Sequence, residues 1–432
     1  MLRQSERKTN MFCNLGTAYY SVCCNPGAAI ILHTPRACSH LSLEGHWFVK
    51  RRAYLRDPAL QLPVENHLFV TGITDKQAIF GGEALLRDCL LDVAELSWVK
   101  YMIVVAGCTA GVIGDDVEAV CSGVEEETGI PVLLVPGAGF MSRHHVETQI
   151  DLISLLLDRF SKPRKKDPAA PRTAVVFGEN RGTANEHNIH EITRLLSYFG
   201  FQHVLFVPNA MSLSDFARVP DASLFMAVGF SFDHFDRMQQ FTEEMAKRYE
   251  ATCYLGNYPI GEDGTFHFLT EMGRLLGMEK EAESALLAEK KDIAESLMAG
   301  EKELSGKHFL CVLGFPLRFC RIENHLHALA RAGLVLDAII LHNDLTEKEK
   351  QEQVAHIRAF PEWQDVPILD GERHVEAFRG KVDMVLSTTV LVDVPHQLCI
   401  SVQQVGTMGV KHLLTKVEAT LKGSGRRITY EF

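Results

Sequence analysis

The sequence predicts an α/β protein made of three Rossmann-like units in series, each a mostly parallel sheet flanked by helices. Three observations lead to this prediction. Short apolar runs, many of them β-branched, alternate with longer amphipathic stretches, which is typical of parallel strands joined by helices. The apolar runs are continuous, as expected of strands that are covered on both faces. With 432 residues, the chain is too long for one compact core.

The first unit contains the clearest pattern of strands and helices. Buried strands are predicted at residues 28–33, 67–72, 101–107 and 131–137. Helices are predicted at 83–96 and 116–127, because apolar residues recur there at helical spacing. A basic, proline-rich stretch at 161–172 predicts a linker, so we expect this unit to cover residues 1–165.

The second and third units continue the alternation without a detectable sequence repeat. A long charged helix at about 278–302 separates them, and we expect the units at residues 166–300 and 301–432. The predicted strands of both units are residues 173–179, 203–208, 224–229, 252–261, 308–314, 336–343, 366–371, 383–388 and 397–402.

Charge and hydrophobicity exclude several classes of protein. Lys and Arg total 44 against 55 Asp and Glu, a net charge of −11 that disfavours a nucleic-acid binder. No apolar run approaches the ~18–20 residues needed to span a bilayer. The first ten residues lack the apolar region of a secretory signal. We therefore expect a cytoplasmic protein with neither a nucleic-acid nor a membrane partner.

Common cofactor and nucleophile motifs are absent from the sequence. There is no GxxxxGK[ST] for ATP, no CxxC of a zinc ribbon or ferredoxin, and no GxSxG nucleophile turn. The GAG at 137–139 is only a fragment of a dinucleotide-binding fingerprint. The cysteines are therefore the main candidates for chemistry.

Eleven cysteines in a cytosolic chain favour metal ligation over a disulfide framework, because the cytosol keeps thiols reduced. Cys89 and Cys121 lie at helical spacing with apolar residues, whereas Cys253 and Cys311 fall inside predicted strands. We expect these four to be core residues that behave as small hydrophobes.

Three other cysteines differ in position. Cys38 follows the first predicted strand across a short turn, Cys108 directly follows the strand at 101–107, and Cys13 lies shortly before Gly16. The carboxyl ends of adjacent parallel strands meet at one edge, and a nearby helix N-terminus favours the thiolate that a metal needs. One interpretation is a thiolate cluster at this edge, and the alternative is three unrelated core cysteines.

At these residues the sequence resembles the nitrogenase component 1 family, which includes nitrogenase molybdenum-iron protein subunits, cofactor-scaffold subunits and nitrogenase-like reductases. The family pattern is an N-terminal Cys, a strand ending in His-x-Pro-x-x-Cys, a TD–FGG–E segment, and a strand running into C-x-x-x-x-IGDD. The matching elements here are Cys13, HTPRAC at 33–38, TDKQAIFGGE at 74–83 and CTAGVIGDDVEAV at 108–120. Four motifs in order make the resemblance specific.

The resemblance implies an iron–sulfur cluster shared between two related subunits, either [4Fe-4S] or a larger P-cluster-like [8Fe-7S], with Cys13, Cys38 and Cys108 as its ligands here. A cubane needs about four protein ligands, so a homologous or identical component 1 subunit would supply the remainder. A separate ATP-dependent iron protein is implied as the electron donor. Cys23 and Cys24 depart from the family pattern and are expected in a helix or the core, with contact to the cluster as the alternative.

The resemblance leaves a second metal cofactor open. In family members that have one, it lies among the three units, and the middle-unit segment at 226–238 has no cysteine to hold it. The cavity candidates are Arg318, Cys320, His396 and Cys399. Arg318, in GFPLRFC, resembles the arginine that lines the nitrogenase cofactor cavity, and a structural arginine is the alternative.

The predicted function is a subunit of the catalytic component of a nitrogenase-like two-component reductase. Its cluster would relay low-potential electrons from the iron protein to a site between the units. The first alternative is a non-catalytic scaffold for metal-cofactor assembly. The second is a small-molecule-binding α/β protein without a cluster. The sequence does not determine the substrate.

Overall fold

The architecture is taken from a computed structural model. It describes residues 14–38, 67–135, 145–167, 169–178, 186–227, 235–256, 258–314, 322–391, 394–400, 405–423 and 429–431.

Three separate sheets form along the chain, and every pair of neighbouring strands within them is parallel in the described part of the chain. The strand orders are β2-β1-β3-β4, β6-β5-β7-β8 and β11-β10-β9-β12-β13-β14. The strands are β1 Ala28–His33, β2 Leu68–Val70, β3 Tyr101–Ala106, β4 Val132–Val135, β5 Thr173–Phe177, β6 His203–Val207, β7 Leu224–Ala227, β8 Thr252–Tyr254, β9 His308–Leu313, β10 Val335–Leu341, β11 Ile368–Asp370, β12 Met384–Ser387, β13 Gln397–Ile400 and β14 Thr429–Glu431.

Helices connect the strands and cover the faces of the sheets, as parallel strands require. The α-helices are α1 Asn14–Val22, α2 Asp75–Phe80, α3 Glu83–Ala94, α4 Cys108–Ile113, α5 Val117–Thr128, α6 His145–Phe160, α7 Glu186–Ser197, α8 Leu213–Phe216, α9 Phe235–Arg248, α10 Gly261–Leu276, α11 Glu279–Leu304, α12 Ile322–Arg331, α13 Glu347–Arg358 and α14 Gly406–Lys422. No helix in this part of the chain has the length and apolar content to cross a bilayer.

The predicted α/β class and its mostly parallel sheets are confirmed. A strand is present at each predicted apolar run, and the long charged helix is α11, within two residues of its expected bounds. The strand predicted at 252–261 is shorter than expected, since it covers only Thr252–Tyr254 and α10 begins at Gly261. β14 was not expected, because its three residues form too short a run to stand out. The strands β1 and β3 are neighbours in the first sheet. Their carboxyl ends lie side by side, with His33 opposite Ala106.

One hydrophobic core joins the first and second sheets. The ring of Tyr101 on β3 lies 5.1 Å from that of Phe160 on α6, which in turn lies 5.8 Å from Phe216. The same buried cluster contains Ile30 from the first sheet and Phe225 from the second. The two sheets therefore share apolar surface, and the unit boundary near residue 165 stays a prediction.

A buried ion-pair network joins the second and third units at α14. Arg194 of α7 lies 2.8 Å from the Glu191 carboxylate and 2.6 Å from that of Glu289 on α11. Burial opposes ionisation of Glu289, but hydrogen bonds from Arg194 and Thr407 hold the pKa of its carboxyl below the ordinary value. Glu191 also accepts a hydrogen bond from the Met408 backbone N–H at 3.0 Å. These contacts fix the first turn of α14.

Candidate metal centre

Cys38 lies at the carboxyl edge of the first sheet because β1 ends five residues before it. The strand finishes at His33, the chain turns through Pro35, and residues 36–38 are helical. The Cys38 backbone N–H donates to the Pro35 carbonyl at 3.1 Å, which holds the turn closed. The Cys38 side chain is exposed at the protein surface.

Cys108 reaches the same edge from the neighbouring strand. β3 ends at Ala106, and Cys108 begins α4 two residues later. The N–H of Gly107 donates to the His33 carbonyl at 2.9 Å, so the two chain segments stay paired beyond the sheet. Neighbouring strands lie about 4.8 Å apart. The structure therefore brings the turns that carry Cys38 and Cys108 together at one edge, as the sequence predicted.

The other residues of the matched motifs build the support for these turns. His33 is fully buried, with Nε2 3.0 Å from the Asp115 carboxylate and Nδ1 3.0 Å from the Thr71 hydroxyl. The second oxygen of Asp115 accepts the backbone N–H of Gly82 at 2.8 Å. Asp115 thus ties the end of β1 to the start of α3.

Two further carboxylates connect the first residues of α3 and α5. Glu83, the first residue of α3, accepts the backbone N–H of Asp116 at 2.8 Å. Asp116 in turn caps α5 by accepting the Ala119 N–H at 3.0 Å. The FGG–E and IGDD segments therefore bind each other, which explains why these residue types stand at those positions.

Two glycines allow the close approach of these segments. A Cβ atom on Gly82 would lie 2.6 Å from the Asp115 carboxylate and 2.9 Å from the His33 ring. A Cβ on Gly107 would lie 2.6 Å from the Thr34 hydroxyl oxygen. A Cβ atom at either position would therefore force a neighbouring group to shift.

Burial lowers the pKa of His33 below its ordinary value, and the Asp115 carboxylate opposes part of that shift. A neutral imidazole can donate from Nε2 to Asp115 while Nδ1 accepts from Thr71. The His33–Asp115 contact is therefore a hydrogen bond from a neutral ring to a carboxylate at neutral pH.

The four cysteines expected in the core have environments that disfavour a thiolate. Burial raises the pKa of Cys89 and Cys253 to about 11 and that of Cys121 to about 12, with further increases from nearby carboxylates. Burial also raises the pKa of Cys311, which lies within β9. Neutral thiols are poor metal ligands, because ligation uses the thiolate. These cysteines belong to the packing, as predicted.

Cys23 and Cys24 are buried core residues at the far end of β1, as expected of them. Their sulfurs lie 3.9 Å apart, between α1 and the first residue of β1. β1 has six residues, so its two ends are about 17 Å apart. The pair therefore lies at the edge opposite to Cys38.

Cys13 lies outside the described residues, so the structure does not place the third expected ligand. Among the residues that are described, no group of three His, Cys, Asp or Glu side chains is arranged to hold a metal ion. The set of Cys13, Cys38 and Cys108 stays a prediction, of which two positions are seen at the same edge.

Two of the four residues predicted to line a cofactor cavity lie in the described part of the chain. Arg318 and Cys320 lie outside the described residues. His396 lies at the amino end of β13, where its Nδ1 is 2.8 Å from the Thr420 carbonyl, and it lines a cavity of about 40 Å³. Cys399 is buried within the same strand. The role of these four residues therefore stays a prediction.

Exposed apolar side chains surround the cysteine edge. Ile79 and Phe80 on α2 are 74% and 80% exposed, and Val112 on α4 is 74% exposed. The two short helices contact each other, and we call these three exposed side chains the α2–α4 patch. Such exposure is unusual for residues of this type and is typical of a surface that binds another protein.

The comparisons with known proteins agree with this geometry. A model of the family "Nitrogenase component 1 type Oxidoreductase" matches residues 13–401, and the chain belongs to this family. The solved structure "Nitrogenase Cp1 at pH 5" has the same fold, with a TM-score of 0.63 at 18% identity over 95% of this chain and 88% of that one. The resemblance stated from the four motifs is confirmed.

Curated relatives include two kinds of protein. The chain is 26% identical over 251 residues to the nitrogenase iron-molybdenum cofactor biosynthesis protein NifE of Clostridium pasteurianum, covering 57% of this chain and 52% of the relative. It is 25% identical over 252 residues to the nitrogenase molybdenum-iron protein alpha chain of Methanosarcina barkeri, covering 56% and 44%. The chain spans about half the length of these relatives.

Sequence reasoning missed the supporting roles of His33, Asp115 and Thr34. All three residues lie within the quoted motifs, and His33 carried a signal as a polar residue that ends a continuous apolar strand. A buried histidine at the end of a strand needs a hydrogen-bond partner, and here the partner lies in the IGDD motif. Thr34 carried no signal of its own in the sequence.

Proposed function

We propose that this chain is a subunit of the catalytic component of a two-component reductase and that it holds an iron–sulfur cluster at the carboxyl edge of its first sheet. The observation that carries the proposal is the placement of Cys38 and Cys108 at the ends of neighbouring strands, held by the His33–Asp115 support. Cys38 is exposed and Cys108 is partly exposed, whereas Cys121 and Cys311 are buried in the core.

The residues at this edge suit such a group. Cys38 and Cys108 would be two ligands, and Cys13 a third. When bound, an iron–sulfur cluster accepts and releases single electrons, at a potential set by burial and by hydrogen bonds to its sulfurs. The chain's own contribution is rigidity, because both cysteine turns are fixed through hydrogen bonds that do not depend on the metal.

We further propose that a partner subunit of the same family covers this edge. Three cysteines are fewer than the four protein ligands of a cubane, and Cys38 is exposed. A partner would supply the remaining ligands for a [4Fe-4S] cluster, or a second set of three for an [8Fe-7S] cluster. It would also exclude water from the cluster.

The α2–α4 patch supports a second contact, with an ATP-dependent iron protein. The patch lies beside Cys108, which begins α4, so a donor bound there would stand close to the cluster. The chain has no P-loop of its own, which agrees with ATP hydrolysis by a separate protein. The electrons would continue to a site between the units, where Arg318, Cys320, His396 and Cys399 remain candidates.

A scaffold for metal-cofactor assembly is the second candidate, favoured by the relatives named as cofactor biosynthesis proteins. A scaffold would keep the cluster and the partner subunit but would transfer a metal group instead of turning over a substrate. The same cysteine edge serves both functions.

The test begins with anaerobic purification of the protein, alone and co-expressed with its partner subunit, followed by assays of iron and acid-labile sulfide. We expect both elements in the co-expressed complex. A folded, colourless and iron-free complex would contradict the proposal and favour a small-molecule-binding protein without a cluster. ATP-dependent reduction of a substrate panel with an iron protein would support the reductase. Transfer of metal to an apoprotein without turnover would support the scaffold.

A further inference from the structure

Thr34 places a buried hydroxyl between the two cysteine turns. Its side chain has 0% exposure, and Oγ1 has no hydrogen-bond partner among the residues that the structure describes. The backbone of Thr34 is fixed, because its carbonyl accepts the N–H groups of Gly72 and Ile73, both at 3.1 Å. Only the hydroxyl is left without a role.

The location of this hydroxyl is specific. Thr34 directly follows His33 and precedes Cys38 by four residues. Across the strand pair, its oxygen lies so close to Gly107 that a Cβ there would approach within 2.6 Å. Gly107 immediately precedes Cys108. The hydroxyl therefore lies between the two segments that end in the candidate ligands.

Burial of a hydroxyl without a partner costs stability, because the group loses its bonds to water. Valine has nearly the same shape and would fill the same space without that cost. A threonine here is therefore explained best by an acceptor that the protein part of the structure does not include. At the edge that carries Cys38 and Cys108, the acceptor that fits the proposed function is a sulfide of an iron–sulfur cluster.

We propose that the Thr34 hydroxyl donates a hydrogen bond to a sulfide of the cluster and raises the reduction potential of the cluster. This inference rests on the proposed function. A donor near the sulfurs stabilises the reduced cluster more than the oxidised one, because reduction adds negative charge to them. Thr34 is thus a positioning and tuning residue, and it provides no ligand.

The test compares Thr34→Val, which keeps the shape, with Thr34→Ser, which keeps the hydroxyl. Thr242→Val is the control, since Thr242 is also fully buried but bonds to Met238 within α9 of the second unit. Each variant is purified anaerobically with the partner subunit. Iron content is measured first, and the midpoint potential then follows from a redox titration monitored by electron paramagnetic resonance.

We expect Thr34→Val to keep its iron and to shift the midpoint to more negative values. At the wild-type midpoint, its ratio of reduced to oxidised cluster should fall about five-fold, the effect of losing one hydrogen bond. Thr34→Ser and Thr242→Val should stay close to the wild type. Without metal, Thr34→Val should be at least as stable to urea as the wild-type chain, because no bond within the protein is lost.

An unchanged midpoint in an iron-loaded Thr34→Val protein would overturn the inference. Loss of iron from both Thr34 variants would also overturn it, since side-chain shape would then matter and the hydroxyl would not. Loss of iron from Thr34→Val alone would support a bond from the hydroxyl to the cluster. A wild-type protein without iron would instead overturn the proposed function, so the two failures are distinguishable.

Discussion

The Nε2 atom of His33 lies 3.0 Å from the carboxylate of Asp115, and both side chains are excluded from solvent. The two residues are 82 positions apart in the sequence. Through this contact, the end of β1 is bound to the loop before α5, and the Asp115 carboxylate extends the connection to Gly82. The motifs that identify the family are therefore parts of one hydrogen-bonded support.

The burial of His33 predicts a loss of stability in mild acid. Because the pKa of His33 is lowered by burial, the unfolded state binds more protons than the folded state as the pH falls below about 6.5, and folding weakens there. Above that pH the stabilisation is fully present. We expect the unfolding free energy of the wild type to fall further between pH 7.5 and 5.5 than that of His33→Gln. Urea unfolding at the two pH values measures this, and equal losses would disprove it.

The sorting of the cysteines predicts two classes of variant. Cys38→Ala and Cys108→Ala should abolish the cluster and weaken association with the partner subunit, because metal binding contributes directly to assembly. Cys89→Ala and Cys121→Ala should retain full iron content, since their thiols have raised pKa values and lie in the packing. Iron and sulfide assays with gel filtration give the answer. Similar iron content in all four would show that the sorting is wrong.

The close approach at Gly82 predicts a large effect of one methyl group. In Gly82→Ala the added Cβ would overlap the Asp115 carboxylate and the His33 ring, so we expect a loss of about 1–3 kcal/mol in unfolding free energy. Gly123 is the matched control, because it lies inside α5 with open space around it. Gly123→Ala should stabilise the protein by up to ~1 kcal/mol through helix propensity. Equal effects of the two substitutions would contradict the packing described.

The α2–α4 patch predicts a separation of stability from electron transfer. Phe80→Ser should change the unfolding free energy by less than about 0.5 kcal/mol, because the ring is exposed. If the iron protein binds there, its affinity should fall about ten-fold, the loss expected for one aromatic contact at an interface. Leu287→Ser is the control, since Leu287 is 71% exposed on α11. Stopped-flow reduction at varied iron-protein concentration measures this affinity. An unaltered affinity in Phe80→Ser would exclude the α2–α4 patch as the binding site of the iron protein.

Much of the fold follows from local sequence patterns. β1 was predicted at 28–33 and lies there, because a continuous apolar run bounded by turn residues fits only a buried strand. The long helix α11 was equally clear from its charged, turn-free sequence. By contrast, the core that joins Tyr101 to Phe216 depends on how two sheets meet, and no local pattern encodes such a contact.

The placement of two candidate ligands at one edge of the first sheet was predictable, and the hydrogen bonds that support them were less so. Cys38 and Cys108 could be placed because residues that follow adjacent parallel strands share an edge. The pairing of His33 with Asp115 could not, since a sequence does not state which distant polar residues will meet. The burial of the Thr34 hydroxyl depends on the close approach of the Gly107 backbone, which leaves no room for a Cβ atom. A sequence pattern does not encode such a distance.

The shared core of the first two sheets has a consequence during synthesis. Tyr101 leaves the ribosome well before Phe216, Phe225 and Tyr249, which belong to the same buried cluster. At about 5–20 residues per second, the interval between synthesis of Tyr101 and of Tyr249 is roughly 7–30 seconds. The apolar face of the first sheet is a natural target for chaperones in that interval, and a truncated gene product ending near residue 165 would aggregate.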